Sequence, residues 1–285
     1  MSPSDLLGWL PLARFRDPPP VVPVLRFDGV IAPRQWRGAL SITSHAGALD
    51  RAFGMKRAVA VAIIVNSPGG SPVQSSLLYR RIRALAEEKH LLVFAFAEDV
   101  AASGGYWLAL AGDEVWAEET SILGSIGVVS SGFGFTRLID RIGIERRLHT
   151  AGENKSLLDP FLPEQDRDVA RLTALQQDIH AAFKDHVKRR RTGKIDAADE
   201  TLFSGDVLTG RQALEKGLID GIGDLRSVMR ARFGDRIRLV PVASERRRRW
   251  PFSRPQRGVA EAGLGLVADV ADWVEARLLW ARFGL

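Results

Sequence analysis

Apolar residues run almost unbroken through AVAVAIIV (58–65) and LLVFAFA (91–97). Runs this short and this continuous predict strands buried on both faces, as in a parallel sheet. VVPVLRFDGVI (21–31) predicts a further strand. The turn cluster NSPGG (66–70) ends the first apolar run. Ser71, Pro72 and Gln74 then predict a helix start, with a capping-box pattern and proline at the first helical position. EDVAASGGYW (98–107) follows the second run and predicts a helix from Ser103 to about Leu110. DEVWAE (113–118) and SIGVVS (125–130) predict short strands. Val169, Leu172, Leu175, Ile179, Phe183 and Val187 recur at spacings of three and four. They predict a long amphipathic helix that ends in Lys188 to Arg191, where positive charge suits the helix dipole. VLTGRQALEKGLIDGIGD (207–224) reads as turn, helix, glycine stop and turn, and RIRLVPV (236–242) as a closing strand. Strands alternating with helices predict an α/β domain with a mostly parallel sheet.

The ends of the chain differ from this middle. Residues 1–20 read as an appendage closed by DPPP, an extended linker. The folded domain is expected over 21–243, a basic linker over 244–257 and an amphipathic helix over 258–285. In that helix Glu261, Asp272 and Glu275 share one face, and Leu266, Val267, Val270, Trp273, Val274 and Leu278 another. Packing on a partner helix and lying in a membrane interface both fit such a helix. Trp273, Trp280 and the upstream arginines favour the membrane, and the acidic face opposes it.

The net charge of +6 is concentrated in SERRRRWPFSRPQR (244–257), which is a local basic patch and not a nucleic-acid-binding face. The absence of cysteine excludes disulfides, thiolate nucleophiles and cysteine metal sites. No stretch reaches about 18 consecutive apolar residues, and the N-terminus has the reverse of a secretory charge order. A cytoplasmic protein, with at most peripheral membrane contact through 244–285, is the expectation.

Ser103 stands where strand gives way to helix, so it is either a helix cap or a nucleophile held on a turn. A nucleophile needs a base. Of His45, His90, His149, His180 and His186, two lie on the long amphipathic helix and His90 closes another. His149, in RRLHTAG, is the one histidine candidate for a base, and no histidine spacing suggests a metal site. Lysines are few, seven against 33 arginines, and Lys155 lies in the loop AGENKSLLDPF (151–161). A lysine acts as a general base when burial lowers its pKa from about 10.4 toward 7 or 8. Leu157 and Leu158 are compatible with such a wall. Backbone N–H groups for an oxyanion are available at Gly69–Gly70 and at Gly104.

NSPGGS, AASGGYWLAL, GSIGVV, AGENKSLLDPF and LTGRQALEKGLIDGIG occur in the order seen in signal peptide peptidase A and the related family S49 serine peptidases. The resemblance covers roughly residues 22–242 and is specific through the order of five motifs, each weak alone. It implies a ClpP/crotonase-like α/β fold, a spiral of ββα units. It also implies a Ser–Lys dyad, with Ser103 as nucleophile and Lys155 as general base. Ser125 matches a serine that orients the lysine, and Gly69 and Gly104 match the oxyanion hole. No cofactor is implied. Peptide substrates such as signal-peptide remnants or membrane-derived fragments are implied, as is a homo-oligomer in which neighbouring subunits share a dyad. The membrane anchor common in the family has no counterpart in this sequence. A crotonase-like acyl-CoA enzyme, or a catalytically silent membrane-surface scaffold, is the competing reading. An acyl-CoA enzyme would use the same glycine N–H groups without needing both Ser103 and Lys155.

Overall fold

The computed structural model describes residues 19–33, 39–244, 274, 277–281 and 283. The expected N-terminal appendage, and most of the basic linker and C-terminal helix, lie outside the described residues. Strands β1 (Val21–Asp28), β2 (Ala60–Ser67) and β3 (Leu92–Ala102) pair in parallel, with β8 (Arg238–Pro241) parallel to β1 at the edge. The apolar runs form strands because the sheet is covered on both sides. Leu25, Phe27, Val61, Ile63, Val93 and Ala95 point into one core, and Val22, Val24, Ala60, Ala62, Phe94 and Phe96 into another. The first core is closed by α1 (Ile42–Phe53), α2 (Pro72–Lys89) and α3 (Gly104–Ala109). The second is closed by α7 (Leu225–Phe233) through Val228 and Met229.

The sheet forks at β3. Its first half pairs with β4 (Glu114–Ala117), and its last residues pair with β5 (Ile122–Gly124). Opposite the fork the register with β2 shifts, from Val65↔Ala97 to Ser67↔Ala101. Such a bulge bends a strand and increases its twist. Asn66 fills the gap: its Nδ2 donates to Asp99 Oδ2 at 2.9 Å, and its Oδ1 accepts from the Val100 N–H at 3.1 Å. The bulge therefore sends the end of β3, and Ser103 after it, toward β5. β6 (Val207–Thr209) is the one antiparallel partner among the described pairs, and β7 (Gly221–Ile222) continues from β4.

Three expectations need correction. The strand sought at 125–130 lies at Ile122–Gly124, because Gly124 (φ 92°) and Ser125 (φ 50°) turn the chain out of the sheet. Ser71 does accept from the Gln74 N–H, but the Gln74 side chain accepts from the Ile42 N–H and does not complete a capping box. The segment 207–224 also carries more than a helix, since β6 and β7 flank α6 (Gly210–Glu215). Helices α1 and α7 are not among the predicted elements, although each gathers its buried residues on one face, His45, Ala48, Leu49, Ala52 and Phe53 in α1 and Val228 and Met229 in α7.

Helix α5 (Asp166–Arg190) forms over the predicted amphipathic stretch. Its C-terminal half packs on the body. Phe183 and Val187 are buried, and His186 stacks on Trp107 with ring centroids 4.6 Å apart. Its N-terminal half does not: Val169, Leu175 and Ile179 remain exposed. Before it, residues 128–165 form a largely exposed arm with the short helix α4 (Thr136–Arg141).

Burial lowers the pKa of His186 from 6.5 to about 4 and outweighs the bond from its Nε2 to the Trp107 carbonyl. The neutral ring therefore stabilises the fold fully above the unfolded value, and this contribution is lost as pH falls toward the folded value. Thermal melts between pH 7 and about 5 should show a falling Tm. A His186→Phe protein should fall less steeply, and parallel slopes for the two proteins would contradict this account.

Candidate active site

Ser103 ends β3 and precedes α3 with φ 51° and ψ −120°. This is a positive-φ conformation, outside the left-handed helical region, that a non-glycine residue adopts only when its surroundings enforce it. The enforcement is visible on the upstream side. Ala102 pairs with Gly124, and the Ser103 N–H donates to the Gly124 carbonyl at 2.8 Å. Ser103 occupies the cap position of α3, but its side chain makes no capping hydrogen bond. The hydroxyl is thus left uncommitted on a sharp strand-to-helix turn.

The NSPGG turn lies against this elbow. A Cβ on Gly69 would stand 2.8 Å from both the Gly104 nitrogen and Ser103 Cβ. One on Gly104 would stand 2.5 Å from Ser75 Oγ, and one on Gly105 would stand 2.5 Å from the Ser67 carbonyl oxygen. The two segments approach so closely that side chains are excluded at all three places. Gly69 and Gly70 also adopt φ values of 101° and 132°, which favour glycine.

The backbone donors differ in their commitments. The Gly69 N–H donates to Ser67 Oγ at 3.1 Å. The Gly70 N–H makes no hydrogen bond among the described residues, and its nitrogen is 3.3 Å from where a Gly104 Cβ would be. The Gly104 N–H opens a helix, where no preceding turn accepts it. Gly70 belongs to the glycine pair the sequence singled out, but only the fold shows that its N–H is the uncommitted one.

Ser125 directly follows Gly124, the residue that binds the Ser103 N–H, and its own N–H donates to the Asp206 carbonyl at 2.7 Å. Ser103, Gly69, Gly104 and Ser125 therefore share one region. Lys155 does not join them within the single chain. It lies exposed in the arm, where its N–H closes a turn to the Gly152 carbonyl at 3.4 Å. Among the described residues no hydrogen bond links it to Ser103 or Ser125. The arm also carries Phe133, Leu138, Ile142 and Ile144 exposed to solvent.

Among the described residues no histidine is bonded to Ser103. His149 is exposed in the arm. His45 stacks on Phe27, His186 on Trp107, and His180 Nε2 bonds the Ile126 carbonyl at 3.0 Å. Among the described residues no group of three or more acidic or histidine side chains could hold a metal ion. None of their helices is long and apolar enough to cross a membrane.

Residues 85–232, which include Ser103, Ser125 and Lys155, match the model of peptidase family S49. A Brucella abortus protein named Na(+)/H(+) antiporter NhaA is 50% identical over 281 residues, 95% of this chain and 38% of that protein. The antiporter name belongs to that longer protein. The chloroplastic serine protease SPPA of Arabidopsis thaliana is 36% identical over 60% of this chain and 25% of its own length. A putative protease of Synechocystis is 32% identical over 59% of this chain and 60% of its own. This chain thus spans well under half of the first two of these relatives. A membrane-bound stomatin-specific protease, solved as a lysine-to-alanine mutant with a substrate peptide, aligns at a TM-score of 0.50. The alignment covers 89% of this chain and 100% of that one at 15% identity, a likeness of fold. The fold is therefore the ClpP/crotonase-like α/β class expected from the sequence. With the family match extending over the Ser103 elbow, β5 and the arm, the chain belongs to peptidase family S49.

Proposed function

We propose that this protein is a serine endopeptidase that works through a Ser–Lys dyad. The observation that carries the reading is the elbow: a serine in an enforced conformation, free of capping duty, facing a glycine turn whose Gly70 N–H is uncommitted among the described residues. Ser103 Oγ attacks the peptide carbonyl, and neutral Lys155 takes its proton. The tetrahedral oxyanion sits against the Gly104 N–H and the glycine turn, with the Gly70 N–H ready to donate beside Gly69. Collapse of the intermediate transfers the proton to the leaving amine and leaves an acyl-enzyme. Water, activated by the same lysine, then releases the acid. Ser125 orients the lysine amine.

Lys155 is exposed in the single chain, whereas a lysine base must be desolvated to be neutral. A neighbouring subunit supplies that burial in this reading. The exposed apolar side chains of the arm and of the first half of α5 give such a contact its surface. The enzyme is then a homo-oligomer in which the arm of one copy brings Lys155 to Ser103 of the next. The lysine-to-alanine form of the stomatin-specific protease, which holds a substrate peptide, supports a lysine role. Substrates are peptides of the kind left from signal sequences or membrane proteins. Residues 244–285 are the segment for peripheral membrane contact or for packing on a partner subunit.

Ser103→Ala and Lys155→Ala should each abolish peptide hydrolysis in folded protein, with the double mutant hardly worse than either, since the pair acts as a unit. Mixing the two single mutants under subunit exchange should restore part of the activity. A mixture that stays inactive despite demonstrated exchange excludes the shared site, and turnover by Lys155→Ala excludes the lysine base.

Gly69→Ala places a methyl group against the Gly104 nitrogen and Ser103 Cβ. Activity should fall by about 100-fold or more, the scale for a misplaced catalytic geometry. Circular dichroism should still report a folded protein, and a folded Gly69→Ala enzyme with wild-type kcat would contradict the assigned geometry.

A further inference from the structure

The upstream anchor of Ser103 is the β3–β5 pairing, but a strained residue needs both flanks held. The downstream flank is α3, a helix of six residues, too short to be stable alone. Its C-terminal end is seized by side chains of two other helices. Arg190, the last residue of α5, donates from Nε to the Leu110 carbonyl at 2.9 Å and from Nη2 to the Gly112 carbonyl at 2.8 Å. Arg83, on α2, donates from Nη1 to the Ala111 carbonyl at 3.1 Å and to Asp113 Oδ1 at 2.8 Å. Three successive carbonyls just beyond α3 are thus satisfied by two guanidinium groups.

Asp113 closes the loop. Its N–H donates to the Val93 carbonyl at 2.7 Å, and its Oδ2 accepts from the Val93 N–H at 2.8 Å. Val93 lies near the start of β3, so the strand, elbow and helix form a ring fastened at Asp113. The arginines hold the fastening. Lys188 to Arg191 looked in the sequence like dipole-favoured charges at a helix end. The structure uses them separately: Arg190 reaches α3, and the buried Arg191 pairs with Asp220 at 2.7 Å.

We propose that Arg190 and Arg83 are positioning residues for the Ser103 nucleophile, an inference that rests on the peptidase reading. The two-pronged fork of Arg190 and the shared Nη1 of Arg83 fix where α3 ends, and so fix the elbow where α3 begins. Arg190 also ties that elbow to α5, the helix that continues from the Lys155 arm. A lysine at 190 keeps the charge but cannot span both carbonyls as a planar fork does.

The test uses the full-length chain carrying Arg190→Gln, Arg190→Lys or Arg83→Lys. Steady-state peptide hydrolysis should show kcat lowered by about 100-fold for Arg190→Gln, with KM within about twofold of wild type. Arg190→Lys should fall between, and millimolar guanidinium should restore part of the kcat of Arg190→Gln. Hydrogen exchange read by mass spectrometry should be faster over residues 103–112 in each variant, at temperatures well below its melting point. If Arg190→Gln does not fold, the two lysine variants carry the same comparison. Wild-type kcat per folded molecule in the Arg190 variants, or unchanged exchange over 103–112, overturns the proposal. A wild-type protein that cleaves no peptide defeats the peptidase reading instead, and the exchange arm still reports the clamp independently.

Discussion

The conformation of Ser103 is the constraint on which the rest of the site depends. A φ of 51° with ψ −120° costs a non-glycine residue on the order of 1–3 kcal/mol, and it persists because neighbours leave no alternative. The β3 bulge, filled by Asn66, redirects the strand toward β5. The Gly124 carbonyl holds the serine N–H, and the NSPGG turn packs so tightly on the elbow that only glycine fits. The same contacts that enforce the turn leave the hydroxyl and nearby N–H groups without partners. Strain and chemistry share one cause.

In the proposed enzyme one chain presents only part of a working centre, and the architecture is consistent with that. Ser103 and the glycine turn belong to the doubly covered sheet, while Lys155 belongs to an arm that exposes apolar side chains. Folding of a single chain can fix the first group, because strand pairing to β5 and the close-packed glycine turn hold it from within. It leaves Lys155 exposed on an arm whose described packing, Phe135 on Phe161 and the buried Ile139, does not cover it. A second copy provides that missing burial in the proposed enzyme, and α5 links the arm mechanically to the nucleophile through His186 and Arg190.

Much of this was legible in the sequence. The central strands announced themselves because burial on both faces demands continuous apolar runs, and α5 did so through its period. Ser103 stood out through its place between a strand run and a glycine pair. The SIGVVS strand was misplaced because apolar residues there follow two positive-φ positions, which composition does not reveal. Helix α1 was missed although His45, Ala48, Leu49, Ala52 and Phe53 recur at helical spacing and Ser41 with Ser44 forms its capping box, so this signal was present in the sequence and went unread. The commitment of the Gly69 N–H to Ser67, and the arginine hold on α3, are long-range facts. They depend on which turns meet in space, and no local pattern encodes them.

The most direct measurement of the central claim is covalent labelling of the assembled protein with a fluorophosphonate, followed by peptide mapping. The account predicts one adduct, on Ser103, formed faster as pH rises and lost in Ser103→Ala. A peptide-cleaving preparation whose adduct maps to another residue, or whose labelling survives Ser103→Ala, would contradict it.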